Sequence, residues 1–172
     1  MSRASKSGIA KSIQQKMEEC YDKEEANGTP DRILAWMYET LEKDHPFLDT
    51  PIKQTSWRAF NAWLRDGVAL CKLINKLLVA VGKPPVKFSS PVSSSFQCME
   101  NIANFNRGCV EYGLPETYTF NTIDLFECYK GPFLNVINCL NDLGFEANSQ
   151  GFKPEYDAVE PPTRDVEVWG DK

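Results

Sequence analysis

Apolar residues in this chain return every three or four positions almost wherever they cluster. That spacing leaves little room for anything but a bundle of amphipathic helices. Ile9, Ile13, Met17 and Tyr21 step by four along one stripe. Ile33, Leu34, Met37, Tyr38 and Leu41 repeat the pattern, and Val68, Cys71, Ile74, Leu77, Leu78 and Val81 do so again. Phe96, Met99, Ile102, Ala103, Cys109 and Val110 form a further stripe, and Phe133, Val136, Ile137, Leu140 and Leu143 the last. Alternation of the strand kind is confined to Tyr118-Thr119-Phe120, too short to support a sheet. The expected class is all-α: a compact helical bundle of four main helices plus short ones, with an extra helix at the N-terminus.

Local punctuation places the ends. Asn27-Gly28 closes the first helix, predicted over about Gly8 to Glu25. Thr29-Pro30-Asp31 reads as N-cap, first-turn proline and first-turn acid. Ser56 caps a short helix carrying Phe60, Trp63 and Leu64, and Asp66-Gly67 turns the chain into the next one. Gly82-Lys83-Pro84-Pro85 stops that helix, and a proline- and serine-rich connection follows as far as Ser94 or Ser95, either of which caps its successor. Thr122 is the expected cap of a short helix. Gly131-Pro132 opens the last long one and Gly144 is its expected stop. The domain boundaries follow: an N-terminal helical extension over 1–29, a globular domain over 30–144, and an acidic, flexible tail over 145–172. The helical extension is expected to pack on the domain through Ile9, Ile13 and Met17, and Trp63, Leu73, Ile74, Phe105, Val136 and Leu140 are expected in the core.

Charge narrows the partners. The 172 residues carry a net charge of −5. Seven acids against three bases fall between Phe145 and Lys172, so the remainder is nearly neutral. Nucleic-acid binding needs clustered Lys and Arg, and is not expected here. No apolar run reaches membrane-spanning or signal-peptide length, so a cytoplasmic protein without a membrane partner is expected. Six cysteines, none in a zinc-like C-x₂₋₄-C pair, fit reduced and mostly buried thiols better than disulfides. The lone histidine, His45, precedes a proline in a loop, and no phosphate-binding glycine loop or calcium-binding acid ladder occurs. The reading therefore holds no catalytic residue, no cofactor and no metal site.

Several runs then carry a resemblance. Trp63-Leu64-Arg65-Asp66-Gly67-Val68-Ala69-Leu70-Cys71-Lys72-Leu73-Ile74-Asn75 closely resembles a central signature of calponin-homology (CH) domains. Met99-Glu100-Asn101-Ile102-Ala103-Asn104-Phe105 and Cys109-Val110-Glu111-Tyr112-Gly113 resemble the family's next helix. Phe120-Asn121-Thr122-Ile123-Asp124-Leu125-Phe126-Glu127 resembles its most recognisable short segment, and Cys139-Leu140-Asn141-Asp142-Leu143-Gly144 its closing helix. The stretch from Ser7 through Asp22 is similar to the leading helix of the calponin and transgelin subgroup, which points to a single-CH-domain member.

That resemblance implies a cytoskeletal binding module associated with actin filaments, not an enzyme. Signalling or other cytoskeletal proteins are further partners it allows, in an adaptor or a microtubule-associated role, and the expected state is a monomer at the cytoskeleton. The candidate actin-binding residues are Lys72, Lys76, Lys83 and Lys87, the first three at a spacing close to one helical face. The tail has neither the basic stretch nor the glycine-rich repeat usual in the subgroup, and Gly131 to Gly144 contains no Lys or Arg. Binding is expected to be weak and salt-sensitive.

Overall fold

The computed structural model describes residues 2–157, with side chains from Ser12 onward. Its helices are α1 (Ser2–Ala26), α2 (Thr29–Leu41), α3 (Trp57–Leu64), α4 (Val68–Ala80), α5 (Ser95–Tyr112), α6 (Thr122–Phe126) and α7 (Lys130–Ser149). Short 3₁₀ turns cover Glu42–Asp44, Ile52–Gln54 and Glu116–Tyr118. No strand occurs among the described residues.

The core is where the stripes meet. Ile33, Met37 and Leu41 of α2, Leu73, Ile74 and Leu77 of α4, Ile102 and Phe105 of α5, and Val136, Ile137 and Leu140 of α7 are all fully buried. Each such side chain stabilises the fold by about 1.5–3 kcal/mol relative to exposure. The chain entering α4 comes close against α5 at Gly67. This residue has φ 78° and precedes α4, and a Cβ there would stand 2.6 Å from that of Asn101. Only glycine meets both demands cheaply. Beside it Asp66 Oδ1 accepts the Val68 N–H at 2.9 Å, one residue outside the cap position, which Gly67 holds. Ser56 and Ser94 cap as expected, accepting from Ala59 and Gln97.

Several local expectations need correction. Thr29 is not a cap: Gly28, at φ 82°, precedes α2, and Thr29 donates instead to Glu24 at 2.8 Å. Asn121, not Thr122, stands before α6, where Asp124 accepts its N–H at 3.1 Å. Trp63 is half-buried at the rim, because its indole N–H finds its acceptor, Pro46 O, in a surface loop at 2.9 Å. Ile13 is 57% exposed, whereas Tyr21 is buried against Phe133 with ring centroids 5.8 Å apart. A step of four residues turns a 3.6-residue helix by about 40° beyond a full circle, so a stripe built on such steps rotates away from a straight partner. The contact of α1 with α7 accordingly runs through Met17 and Tyr21, aided by the Asp22–Lys130 ion pair at 2.6 Å. The side chain of Ile9 lies outside the described residues.

Gly144 does not stop α7, which runs on to Ser149. Its missing side chain makes room for the Tyr156 ring, with which a Cβ at 144 would collide. Tyr156 is buried, donates from its hydroxyl to Asn141 Oδ1 at 2.5 Å, and has its backbone held by Asn148 through bonds of 2.8 Å on both sides. The stretch read as tail thus begins as the last turns of α7, and beyond them Phe152 and Tyr156 pack back on the helices. The remainder of that stretch, including Trp169, lies outside the described residues.

Among the six free cysteines, Cys71, Cys98, Cys109 and Cys139 are buried, Cys128 is half-buried and Cys20 is exposed. Burial pushes the Cys71 thiol up to about 12, which makes it a poor nucleophile.

Candidate functional site

The four candidate lysines divide into two neighbourhoods. Lys72 and Lys76 lie one turn apart on α4. Both meet the 3₁₀ turn that follows α2: Lys72 Nζ donates to Asp44 O at 2.6 Å, and Lys76 forms an ion pair with the Asp44 carboxylate. That ion pair, charge-assisted and hydrogen-bonded, holds the Asp44 carboxyl below its usual range. Lys72 Nζ also stands 3.3 Å from His45 Nδ1. An ammonium has only donors, so Nδ1 accepts and the neutral ring carries its proton on Nε2. Burial first, and Lys72 second, lower the His45 pKa, while Asp66 opposes them. The ring is also edge-on to Trp63, with centroids 5.6 Å apart.

Lys83 is not on the helical face its spacing suggested. The helix ends at Ala80, and Gly82 at φ 78° turns the chain out of it. From Lys83 to Ser89 the chain runs antiparallel along α5, held by side chains in place of a backbone ladder. Lys83 Nζ donates to Glu111 O at 2.6 Å, near the end of α5. Asn75 grips Val86 on both sides, accepting its N–H at 2.7 Å and donating to its carbonyl at 3.1 Å. Asn104 donates to Lys87 O at 2.8 Å. Asn101 accepts from Ser89 N at 2.9 Å and donates to Ser89 O and Asp66 O, both at 3.0 Å. Gly108 lets Val86 approach, for a Cβ there would be 2.9 Å from its side chain.

Sequence reasoning missed two features of this arrangement. The first is the set of clasping asparagines, Asn75, Asn101 and Asn104. Asparagine competes with the helix by bonding nearby backbone and is a poor interior helix residue. Asparagines standing inside helices, one in α4 and three in α5, are the signal for such clasps. The second is Arg107, exposed on α5 one turn from both Asn104 and Glu111, which joins Lys83 and Lys87 on the same edge. Glu100 and Glu111 share that edge and moderate its charge. Among the described residues, no acid lies within ion-pair distance of Lys83, Lys87 or Arg107.

Among the described residues no group of three or more His, Cys, Asp or Glu side chains is placed to hold a metal ion, and no helix is long and apolar enough to cross a membrane. The arrangement can do electrostatic docking: extended backbone pinned by amides, with cations projecting from its border.

A family model for the calponin homology (CH) domain matches residues 29–146, well over half of the chain. CH domains are binding modules rather than enzymes, related to the cytoskeleton and commonly binding actin or other cytoskeletal proteins. With the helices, the Asp66-Gly67 turn and the α4–α5 contact in place across that span, this chain belongs to the calponin homology domain family.

Proposed function

We propose that this chain is an actin-filament-associated module of the calponin and transgelin kind, working in the cytoplasm as a monomer. It docks weakly on filaments through the basic surface of Lys72, Lys76, Lys83 and Lys87, extended by Arg107. The observation that carries the reading is the asparagine-clasped segment, which holds Lys83 and Lys87 beside Arg107 with none of the three spent in an ion pair among the described residues. Actin filaments are acidic, and a fixed cationic edge steers such a surface without first ordering a loop. Exposed ion pairs contribute about 0–1 kcal/mol each and are screened over about 8 Å at physiological salt, so binding is weak and falls as salt rises.

Co-sedimentation with actin filaments across a salt series tests this. The parent pellets at low salt and less at high salt, and a variant with all four lysines changed to Glu stays in the supernatant while keeping its helical circular dichroism. A quadruple variant that pellets like the parent removes these lysines from the site. Absence of parent binding at low salt hands the function to an adaptor role, and pelleting with microtubules instead hands it to tubulin.

A further inference from the structure

A second surface has the opposite charge. A groove of about 290 Å³ lies between α2, the turn Ile52–Gln54 and the chain after α7. Ala35, Trp36 and Ile52 supply its apolar wall. The wall is rigid: Trp36 donates its indole N–H to Pro154 O at 3.0 Å and sits edge-on to Tyr156, centroids 5.5 Å apart. At the low end of ligand-pocket volumes (about 300–1,000 Å³), the space suits one large side chain better than a whole small molecule.

The rim is acidic and largely uncommitted. Asp31, Glu39, Glu155 and Asp157 surround the groove. Glu155 is taken by Lys153 at 3.1 Å, but among the described residues Asp31, Glu39 and Asp157 have no hydrogen-bond or ion-pair partner. Of the two cations lining the groove, Arg32 binds only neutral oxygens, Asn27 O at 2.7 Å and Thr29 Oγ1 at 3.2 Å, and keeps its charge. Arg32 and Lys53 thus stand against three uncommitted carboxylates, and the rim stays acidic by one charge. Burial raises the Asp31 pKa, and Lys53 and then Arg32 offset this only in part, so the carboxylate is incompletely compensated. An incoming cation would relieve it.

We propose that this groove docks a short extended segment of a partner protein, one large apolar side chain entering against Ala35 and Ile52 and flanking Lys or Arg residues meeting Asp31, Glu39 and Asp157. Charge selects this occupant over the chain's own continuation past Asp157, where Glu160, Asp165, Glu167 and Asp171 outnumber Arg164 and Lys172 and the net sign is that of the rim. The docking uses other elements and the opposite charge from the filament surface, so the two readings stand or fall separately.

The test uses the full chain and a dye-labelled short peptide with a central phenylalanine flanked by lysines, followed by fluorescence anisotropy. Two control peptides replace the lysines by glutamates or the phenylalanine by alanine. The lysine peptide is expected to bind and both controls to fail. Glu39→Lys with Asp157→Lys, both at exposed positions, should weaken binding about tenfold or more with unchanged circular dichroism. Amide shifts in NMR should cluster at Ala35, Glu39, Ile52 and Asp157. Equal binding by the charge-reversed variant, equal binding of the glutamate peptide, or shifts centred elsewhere overturns the proposal. So does binding that appears only after removal of residues 158–172, which gives the groove to that segment, or dimerisation through this face, which gives it to a second copy.

Discussion

Lys72 and Lys76 on one side, and Lys83 and Lys87 on the other, look alike as residues, yet they end in different electrostatic circumstances. The first pair faces a turn contributed by another part of the chain, where the Asp44 carboxylate neutralises Lys76 while Lys72, like Lys83, donates only to neutral acceptors. The second pair leaves the helix, is laid along α5 by three asparagines, and gains Arg107 as a neighbour. The difference teaches that a cation's availability depends less on its spacing in sequence than on which distant acid or carbonyl the fold brings to it.

The sharpest way to break this contrast is to release the clasp. Asn101 is buried and makes three hydrogen bonds, to Ser89 and Asp66. Asn101→Ala should cost about 2–4 kcal/mol in urea unfolding, since buried partners are left unsatisfied. It should also speed amide exchange at Ser89. An unchanged midpoint with Ser89 still protected would show that the segment needs no clasp.

Charge reversal compares the two sets directly. Lys83→Glu, Lys87→Glu and Arg107→Glu together should reduce filament pelleting by about tenfold, whereas Lys72→Glu with Lys76→Glu should reduce it by no more than about threefold, because that pair is already partly satisfied. Equal losses would erase the distinction.

The converse experiment frees the occupied pair. Asp44→Asn removes the carboxylate that holds Lys76, so pelleting at low salt should rise by about twofold, and the gain should vanish at high salt. No gain would mean that Lys72 and Lys76 face away from the filament.

The smallest expected effect is titration of His45. Folding lowers the imidazole pKa from its usual 6.5, so between the two values the unfolded chain binds more protons than the folded one. Stability should therefore decline slightly as pH falls below about 6.5 and level off once the folded-state value is passed. Urea midpoints at successive pH values for the parent and His45→Gln measure it. A variant whose pH slope matches the parent's would remove His45 from the Lys72 cluster.

Much of the architecture was legible because its signals are local. Helical stripes, the serine caps at Ser56 and Ser94, and the Asp66-Gly67 break depend on residues within a turn of each other. The misreadings share a different cause. Gly144 has the look of a helix stop, but it is a gap filled by a ring twelve positions away. Trp63 has the look of core, yet its indole nitrogen is drawn to a loop carbonyl. Lys83 has the spacing of a helical face, yet Gly82 has already ended that face. Arg107 carried no local mark at all, because its relevance comes from a segment some twenty residues earlier in the chain lying beside it.

By itself, the sequence determined the helical class, most of the buried faces and the turn that joins α3 to α4. Periodicity and capping act over three or four residues, and burial of a stripe contributes enough to override competing local choices. Only the tertiary structure decided which lysines keep free charge, how asparagines hold an extended strip on α5, and why Tyr156 and the acidic rim close around Trp36. Those outcomes are set by polar partners far apart in the chain, and a buried or clasped polar group takes whichever partner the packed helices bring within hydrogen-bond reach.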